Sequence, residues 1–282
     1  MIRLAAYSDI GSIISLWNEA FGDSENEILF FLNRKFVPEN TVVFDDNGRI
    51  VSMLFLLEGD LTLNNVSYPS YYLYAACTAK SHRGNGLMGM ILDYARTVAC
   101  ERDKYFICLK PANKLLFSFY EKYGYKTVFS SKILTIENSA AKNVFGFPIS
   151  KLNDYEKSRK TALNKYNRFD WDESAIRFAE EQHQFYGGNS LKNRNGYLLY
   201  SENEHNVYVK EYALRPDFLS ESASHLFYCT EKESIIFNLP PDFPDNNHKF
   251  VIEESGMALA VKDEYCKILE GIKNAYLGLT LD

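Results

Sequence analysis

The sequence predicts a mixed α/β chain: a mixed sheet flanked by helices, followed by a second unit of similar outline. Three observations predict it. Two asparagine turns, Asn47-Gly48 and Asn64-Asn65, lie between runs of β-branched, aromatic and aliphatic residues, which is a hairpin signature. One glycine-rich turn, Arg83-Gly84-Asn85-Gly86-Leu87-Met88-Gly89, joins an aromatic strand-like run to an apolar helix-like run. Beyond a polar stretch at 139–150, the order of helices, a strand pair, a helix and more strands returns.

Ile2-Arg3-Leu4 opens the chain as a strand. Ser8-Asp9 then caps a helix that carries Ile13, Ile14, Leu16, Trp17 and Phe21 at helical spacing. Ser24-Glu25-Asn26-Glu27 is a capping box for a helix to about Phe36. Residues 41–44 and 50–57 are strands about Asn47-Gly48. Residues 61–63 and 66–68 flank Asn64-Asn65. Residues 71–78 form the strand before the glycine turn, and 87–100 the helix after it. A strand at 106–109, a helix at 113–123 and a closing strand at 128–136 complete the first unit, residues 1–138.

The second unit, residues 150–282, begins with helices at 155–166 and 171–186, the latter ended by Gly187-Gly188-Asn189. Strands at 196–200 and 207–212 pair about Asn203-Glu204. A helix at 216–228, strands at 234–238 and 257–261 and a last helix at 263–276 follow.

A glycine turn between strand and helix leaves backbone N–H groups unpaired, lets a phosphate approach closely and sets it at the positive end of the helix dipole. The segment is therefore a candidate pyrophosphate cradle. Its letters satisfy two motifs. Gly84-x-Gly86-x-x-Gly89 spells a dinucleotide fingerprint, and Arg83-x-x-Gly86 spells most of an acyl-CoA loop. A dinucleotide unit places an acidic residue roughly 20 residues on, at the end of the second strand. Here Lys110 follows that strand and Asp103 precedes it. The turn also comes after several strands, whereas a dinucleotide unit starts with its cradle strand. The acyl-CoA reading is preferred, and a plain ligand-free turn is the remaining alternative.

Downstream residues extend the pattern. Asn113 follows the next strand, Tyr120 stands seven residues later on a helix, and Gly124-Tyr125 ends it. With the opening strand and helix, this order over residues 2–137 resembles the GNAT superfamily of N-acetyltransferases. Met88 departs from it, standing where the family has Gly or Ala, and Gly124-Tyr125 replaces Gly-Phe. The two-unit outline resembles the enhanced-intracellular-survival type of acetyltransferase. The first unit is then the acetyl-CoA-binding catalytic domain. The second is a degenerate copy, since Tyr212-Ala213-Leu214-Arg215-Pro216 enters its helix without glycine.

The resemblance implies acetyl transfer from acetyl-CoA to a primary amine, with no metal. Arg83, Gly84, Asn85, Gly86, Leu87, Met88 and Gly89 would hold the cosubstrate with Cys77, Thr78 and Asn113. Tyr120 occupies the family's general-acid position. The general base is left open among Glu58, Asp60, Asp23, Glu25, Glu27, the carboxylate of Asp282 and a water relay that needs no single residue. A non-catalytic CoA-binding or regulatory protein is the alternative reading.

Composition bounds the rest. The 282 residues are 46% hydrophobic and 24% charged, which fits an ordinary globular chain of one or two domains. A net charge of −6 argues against nucleic acid as a partner. No apolar run reaches the ~18 residues of a membrane span, and no signal peptide is evident. Five cysteines without a CxxC pair read as reduced thiols of a cytoplasmic protein. Cys77 reads as a small apolar strand residue rather than a nucleophile. Glu180-x-x-His183 reads as a solvated helix face rather than a metal pair.

Overall fold

The computed structural model describes residues 1–138, 146–245, 247–272 and 274–281. They form two compact units that alternate along the chain. The first comprises Met1–Asp60, Tyr68–Thr127 and Met257–Gly271, and the second Leu61–Ser67, Val128–Gly256 and Ile272–Asp282.

The first unit opens with β1 (Ile2–Leu4), α1 (Ile10–Phe21) and α2 (Glu25–Lys35). Asp9 does not cap α1 with its side chain. It accepts from the Ala6 amide at 2.7 Å and binds Arg3 at 2.6 Å, which holds its carboxyl below the ordinary range. The capping box at α2 is present, with Ser24 and Glu27 exchanging hydrogen bonds. β2 (Thr41–Asp46), β3 (Arg49–Leu63) and β4 (Val66–Thr78) follow. Where the sequence suggests short strands at 50–57, 61–63, 66–68 and 71–78, the chain forms two long ones. Asn64 and Asn65 both take left-handed φ, 49° and 63°, so a tight turn joins strands that continue without a break.

α3 (Leu87–Glu101), β5 (Phe106–Leu109), α4 (Lys114–Glu121) and β6 (Lys126–Glu137) continue the chain. The second unit's own elements are α5 (Tyr155–Ala162), β7 (Arg168–Asp170), α6 (Glu173–Phe185), β8 (Asn189–Asn193), β9 (Gly196–Glu202), β10 (Asn206–Ala213), α7 (Leu219–Thr230) and β11 (Ser234–Leu239). β12 (Lys249–Ala260) and α8 (Cys266–Glu270) come last.

The sheet of the first unit runs β1-β2-β3-β4-β5-β12. β4 and β5 are parallel, as the α3 crossover requires, and Met257 to Ala260 of β12 lie antiparallel to Leu109 to Phe106 of β5. In the second unit the order is β6-β11-β10-β9-β8, with β10 and β11 parallel across α7 and β6 antiparallel to β11. The two units thus repeat one topology with their closing strands exchanged. The strand at 128–136, which the sequence suggests closes the first unit, pairs with β11, and 257–260 closes the first unit instead. For the same reason the units are not the contiguous blocks 1–138 and 150–282.

Below the first sheet, Leu54, Leu56, Tyr71, Ile91, Ala95, Ile107, Tyr125 and Met257 form the core. The core of the second unit gathers Leu134, Ile136, Val209, Tyr212, Leu226 and Phe237. The last helix is shorter than expected. α8 stops at Glu270, and Ala275 and Tyr276 instead make backbone bridges with Phe129 and Arg168.

A buried ionic cluster lies beside those bridges. Arg159, 1% exposed, bonds Glu211 at 2.8 Å and the Phe169 carbonyl at 2.8 Å. Asp170 takes Arg168 at 2.8 Å and the Thr62 hydroxyl at 2.7 Å. Glu180 and His183 do not lie on the solvated face of α6, which Ser174, Arg177, Glu181 and Gln184 form instead. Glu180 is buried and accepts from Tyr155, Ser190 and Lys192 at 2.6 to 2.7 Å. Burial opposes its ionisation, but those donors outweigh it and keep the carboxyl below its ordinary value. His183 bonds the Tyr200 carbonyl at 2.8 Å.

Candidate active site

The site starts where β4 and β5 part. Their ladder ends at Tyr72 and Cys108, although β4 continues to Thr78. Ala75 has φ 47°, an unusual value for a residue with a Cβ, and turns the strand out of register. The next residues, Ala76, Cys77 and Thr78, line a cleft of about 730 Å³. Ser52 fixes this strand end, donating to the Cys77 carbonyl at 2.9 Å and meeting the Thr78 hydroxyl at 2.8 Å.

A turn of 3₁₀ helix over Lys80–His82 leads into the glycine loop. The loop is tied back to the strand by Arg83, whose Nε donates to the Thr78 carbonyl at 3.1 Å. Gly86 is the N-cap of α3 with φ 74°, a left-handed value that any side chain would resist, and Gly84 matches it at 80°. The Gly86 carbonyl accepts from Met90 at 3.2 Å. Leu87, Met88 and Gly89 form the first turn, so their amides have no helical acceptor. Among the described residues nothing takes the amides of Gly84, Asn85 or Gly86 either. Donors therefore line one mouth of the cleft at a helix N-terminus, which favours an anion there.

Gly89 has a different task. A Cβ there would lie 2.5 to 2.8 Å from the Tyr123 ring. Its lack of a side chain lets Tyr123 close over α3, and Tyr123 lines the cleft. Met88 also lines the cleft and packs against the core.

The other wall comes from α4. Asn113 is its N-cap, its Oδ1 accepting from Leu115 at 3.0 Å and Leu116 at 3.2 Å. The Asn113-to-Tyr120 spacing thus starts the helix and sets Tyr120 two turns along it. Tyr120 lines the cleft at 8% exposure, against Phe119 and Tyr125 at 5.3 and 5.4 Å between ring centroids. Its hydroxyl forms no hydrogen bond among the described residues, and burial pushes its pKa up to about 12.

All the sequence-predicted binding residues except Asn85 line this cleft. Asn85 is in the loop but turns its amide group to the His82 carbonyl at 3.3 Å. Burial raises the Cys77 thiol to about 12, so it is not poised to act as a nucleophile at neutral pH.

The candidate bases fare differently. Glu58 pairs with Lys104, Asp23 accepts from the Trp17 indole at 2.8 Å and Glu27 caps α2. Neither they, nor Glu25 or Asp60, line the cleft. Asp282 lies outside the described residues. Sequence reasoning missed Ala20, Phe21, Ala76, His82, Leu116, Phe119 and Tyr123 as lining residues. His82 meets Ser81 at 2.8 Å and Asp46 at 3.4 Å. Its place beside Arg83 in the sequence was the available signal.

The cleft thus sets an amide cradle on a helix start beside a strand that splays from its neighbour. Residues 1–128 match the acetyltransferase (GNAT) domain family.

Solved structures extend the fold likeness to nearly the whole chain. A conserved protein of Enterococcus faecalis V583, described as a probable N-acyltransferase, superposes with a TM-score of 0.74 at 13% identity, over 94% of this chain and 73% of its own. A GCN5-related N-acetyltransferase of Anabaena variabilis ATCC 29413 gives 0.73 at 12% identity, covering 93% and 73%. Eis1 of Mycobacterium abscessus gives 0.68 at 13% identity, covering 93% and 74%. No curated protein matches the chain significantly. No helix among the described residues is long and apolar enough to cross a membrane, and no three metal-ligating side chains come together among them.

Proposed function

We propose that the first unit is an N-acetyltransferase that moves an acetyl group from acetyl-CoA to a primary amine of a small molecule or peptide by direct attack. One observation carries this reading: a single cleft joins a cradle of amides to a buried, protonated tyrosine hydroxyl, and neither has a hydrogen-bond partner among the described residues.

The residues suit acetyl-CoA. Positions where a Cβ would stand at Gly84 and Gly86 have open space beyond them, with nothing within 4 Å, so a pyrophosphate can reach the backbone. The thioester supplies the activated acetyl group when bound. Arg83 and the amides of the loop hold the negative charge. Ala76, Cys77 and Thr78, freed from β5, flank the position of the pantetheine and carbonyl. Tyr120 keeps its proton at neutral pH and gives it to sulfur as the C–S bond breaks. Phe21 and Ala20 add an apolar wall for the acceptor. The acceptor enters as the neutral amine and releases its proton to solvent.

Among its described residues the second unit does not repeat the cradle. Pro216, which has no N–H, follows β10, and the Tyr212 ring packs against Phe237 and Phe243 inside the core. We assign one cosubstrate site per chain. Five free cysteines support a cytoplasmic location.

The test is CoA release across a panel of primary amines, with acetyl-CoA binding measured in parallel. Binding with release on a subset of amines is the expected result. Binding without release on any amine would favour a non-catalytic CoA-binding protein, and absence of binding would refute both.

A further inference from the structure

The second unit contains a cleft that the acetyl-transfer reading does not use. It measures about 340 Å³, within the lower range of small-ligand sites. Four cationic side chains line it: Lys151 before α5, Lys157 on α5, Arg194 in the β8–β9 turn and Arg215 after β10. One carboxylate, Asp154, lines it too, and that group is committed to capping α5 through the Lys157 amide at 2.8 Å. Arg215 pairs with exposed Asp217 at 2.9 Å. Lys151, Lys157 and Arg194 form no ion pair among the described residues. Elsewhere the chain carries an excess of acid, with a net charge of −6.

The walls of this cleft are fastened together. The Ser150 amide donates to the Lys192 carbonyl at 3.1 Å, and the Arg194 amide donates to the Ser150 hydroxyl at 2.9 Å. The Asn195 amide donates to Asn193 Oδ1 at 2.7 Å and shapes the turn that carries Arg194. Tyr212 donates to the Arg215 carbonyl at 3.3 Å. Like charges drawn into one concavity repel one another, and a cleft lined by one sign focuses its field on an incoming counter-charge. Arginine offers a planar fork that matches phosphate oxygens two at a time, while lysine supplies a mobile point charge.

We propose that this cleft binds a small phosphorylated molecule, separately from the acetyl-CoA site. Arg194 grips the phosphate with its fork, and Lys151 and Lys157 neutralise the remaining charge. The site asks for at least two negative charges and a body no larger than a sugar phosphate.

The experiment is calorimetric titration of the full chain with pyrophosphate, inorganic phosphate and citrate, with CoA present at saturation to fill the first unit's cradle. Pyrophosphate should bind at one site, more tightly than citrate, and weaken as ionic strength rises. Arg194→Ala and Lys157→Ala should each weaken it about tenfold, the loss of one charge-assisted contact. Both positions are exposed, so melting temperatures should stay near that of the parent. Three results would overturn the proposal. They are pyrophosphate binding that CoA abolishes, binding unchanged in both variants, and citrate binding as tightly as pyrophosphate.

Discussion

Replacing Tyr120 with phenylalanine separates a proton donor from a packing residue. The residue is 8% exposed and meets Phe119 and Tyr125 edge-to-face, and phenylalanine keeps both contacts. The hydroxyl has no hydrogen bond among the described residues, so its removal strands no partner, and stability at pH 7 should shift by less than about 0.5 kcal/mol. Turnover should fall about 100- to 10,000-fold, the contribution of a positioned general acid, while acetyl-CoA affinity is retained.

The pKa gives an independent check. Folded Tyr120 titrates near pH 12, against about 10 when unfolded. Between those values the native state holds a proton that the unfolded state has lost. This contribution is therefore complete below pH 10 and is lost as pH rises toward 12. Two pH units at about 1.4 kcal/mol each make it about 3 kcal/mol. Tyr120→Phe should lose less stability between pH 10 and 12 than the parent does, by an amount of that order, in urea titrations. Wild-type turnover in the variant, with a good acceptor amine and steady-state CoA release as the assay, would refute the acid role.

Other expectations concern the cradle and the second unit. Gly86→Trp places a large side chain on a left-handed, exposed loop position; the protein should stay folded and lose acetyl-CoA binding in calorimetry. The parent should titrate with one acetyl-CoA per chain, and two equivalent sites would require a cradle in the second unit. Gly89→Ala drives a Cβ into the Tyr123 ring, a strain of about 1–3 kcal/mol set against about 1 kcal/mol of helix propensity. A lower melting temperature and weaker acetyl-CoA binding should result. Arg159→Met leaves the carboxylate of Glu211, which is fully buried, without its closest cation. It should cost about 3–5 kcal/mol in denaturant unfolding.

The sequence by itself determined what short-range interactions encode. The glycine loop, the Asn113 cap with Tyr120 seven residues on, the Ser24–Glu27 box and the asparagine turns each rest on groups within a few residues of one another. Hydrogen bonding, left-handed φ and helical periodicity fix such features locally, and the cleft was legible for that reason. Tertiary structure alone decided what depends on distant partners. The strand at 128–136 carries apolar residues at Val128, Phe129, Ile133, Leu134 and Ile136, the strand at 257–260 is apolar throughout, and nothing within either says which sheet it closes. The Glu180 carboxylate reads as a surface charge until Tyr155, Ser190 and Lys192 surround it. Residues 271–276 read as helix until Ala275 and Tyr276 find backbone partners at Phe129 and Arg168. His82, Ala20 and Phe21 became cleft residues only when α1 and the loop met beside β4. A strand's choice of neighbour, a charge's burial and a cleft's lining are set by contacts between residues tens to more than a hundred positions apart, which local pattern does not contain.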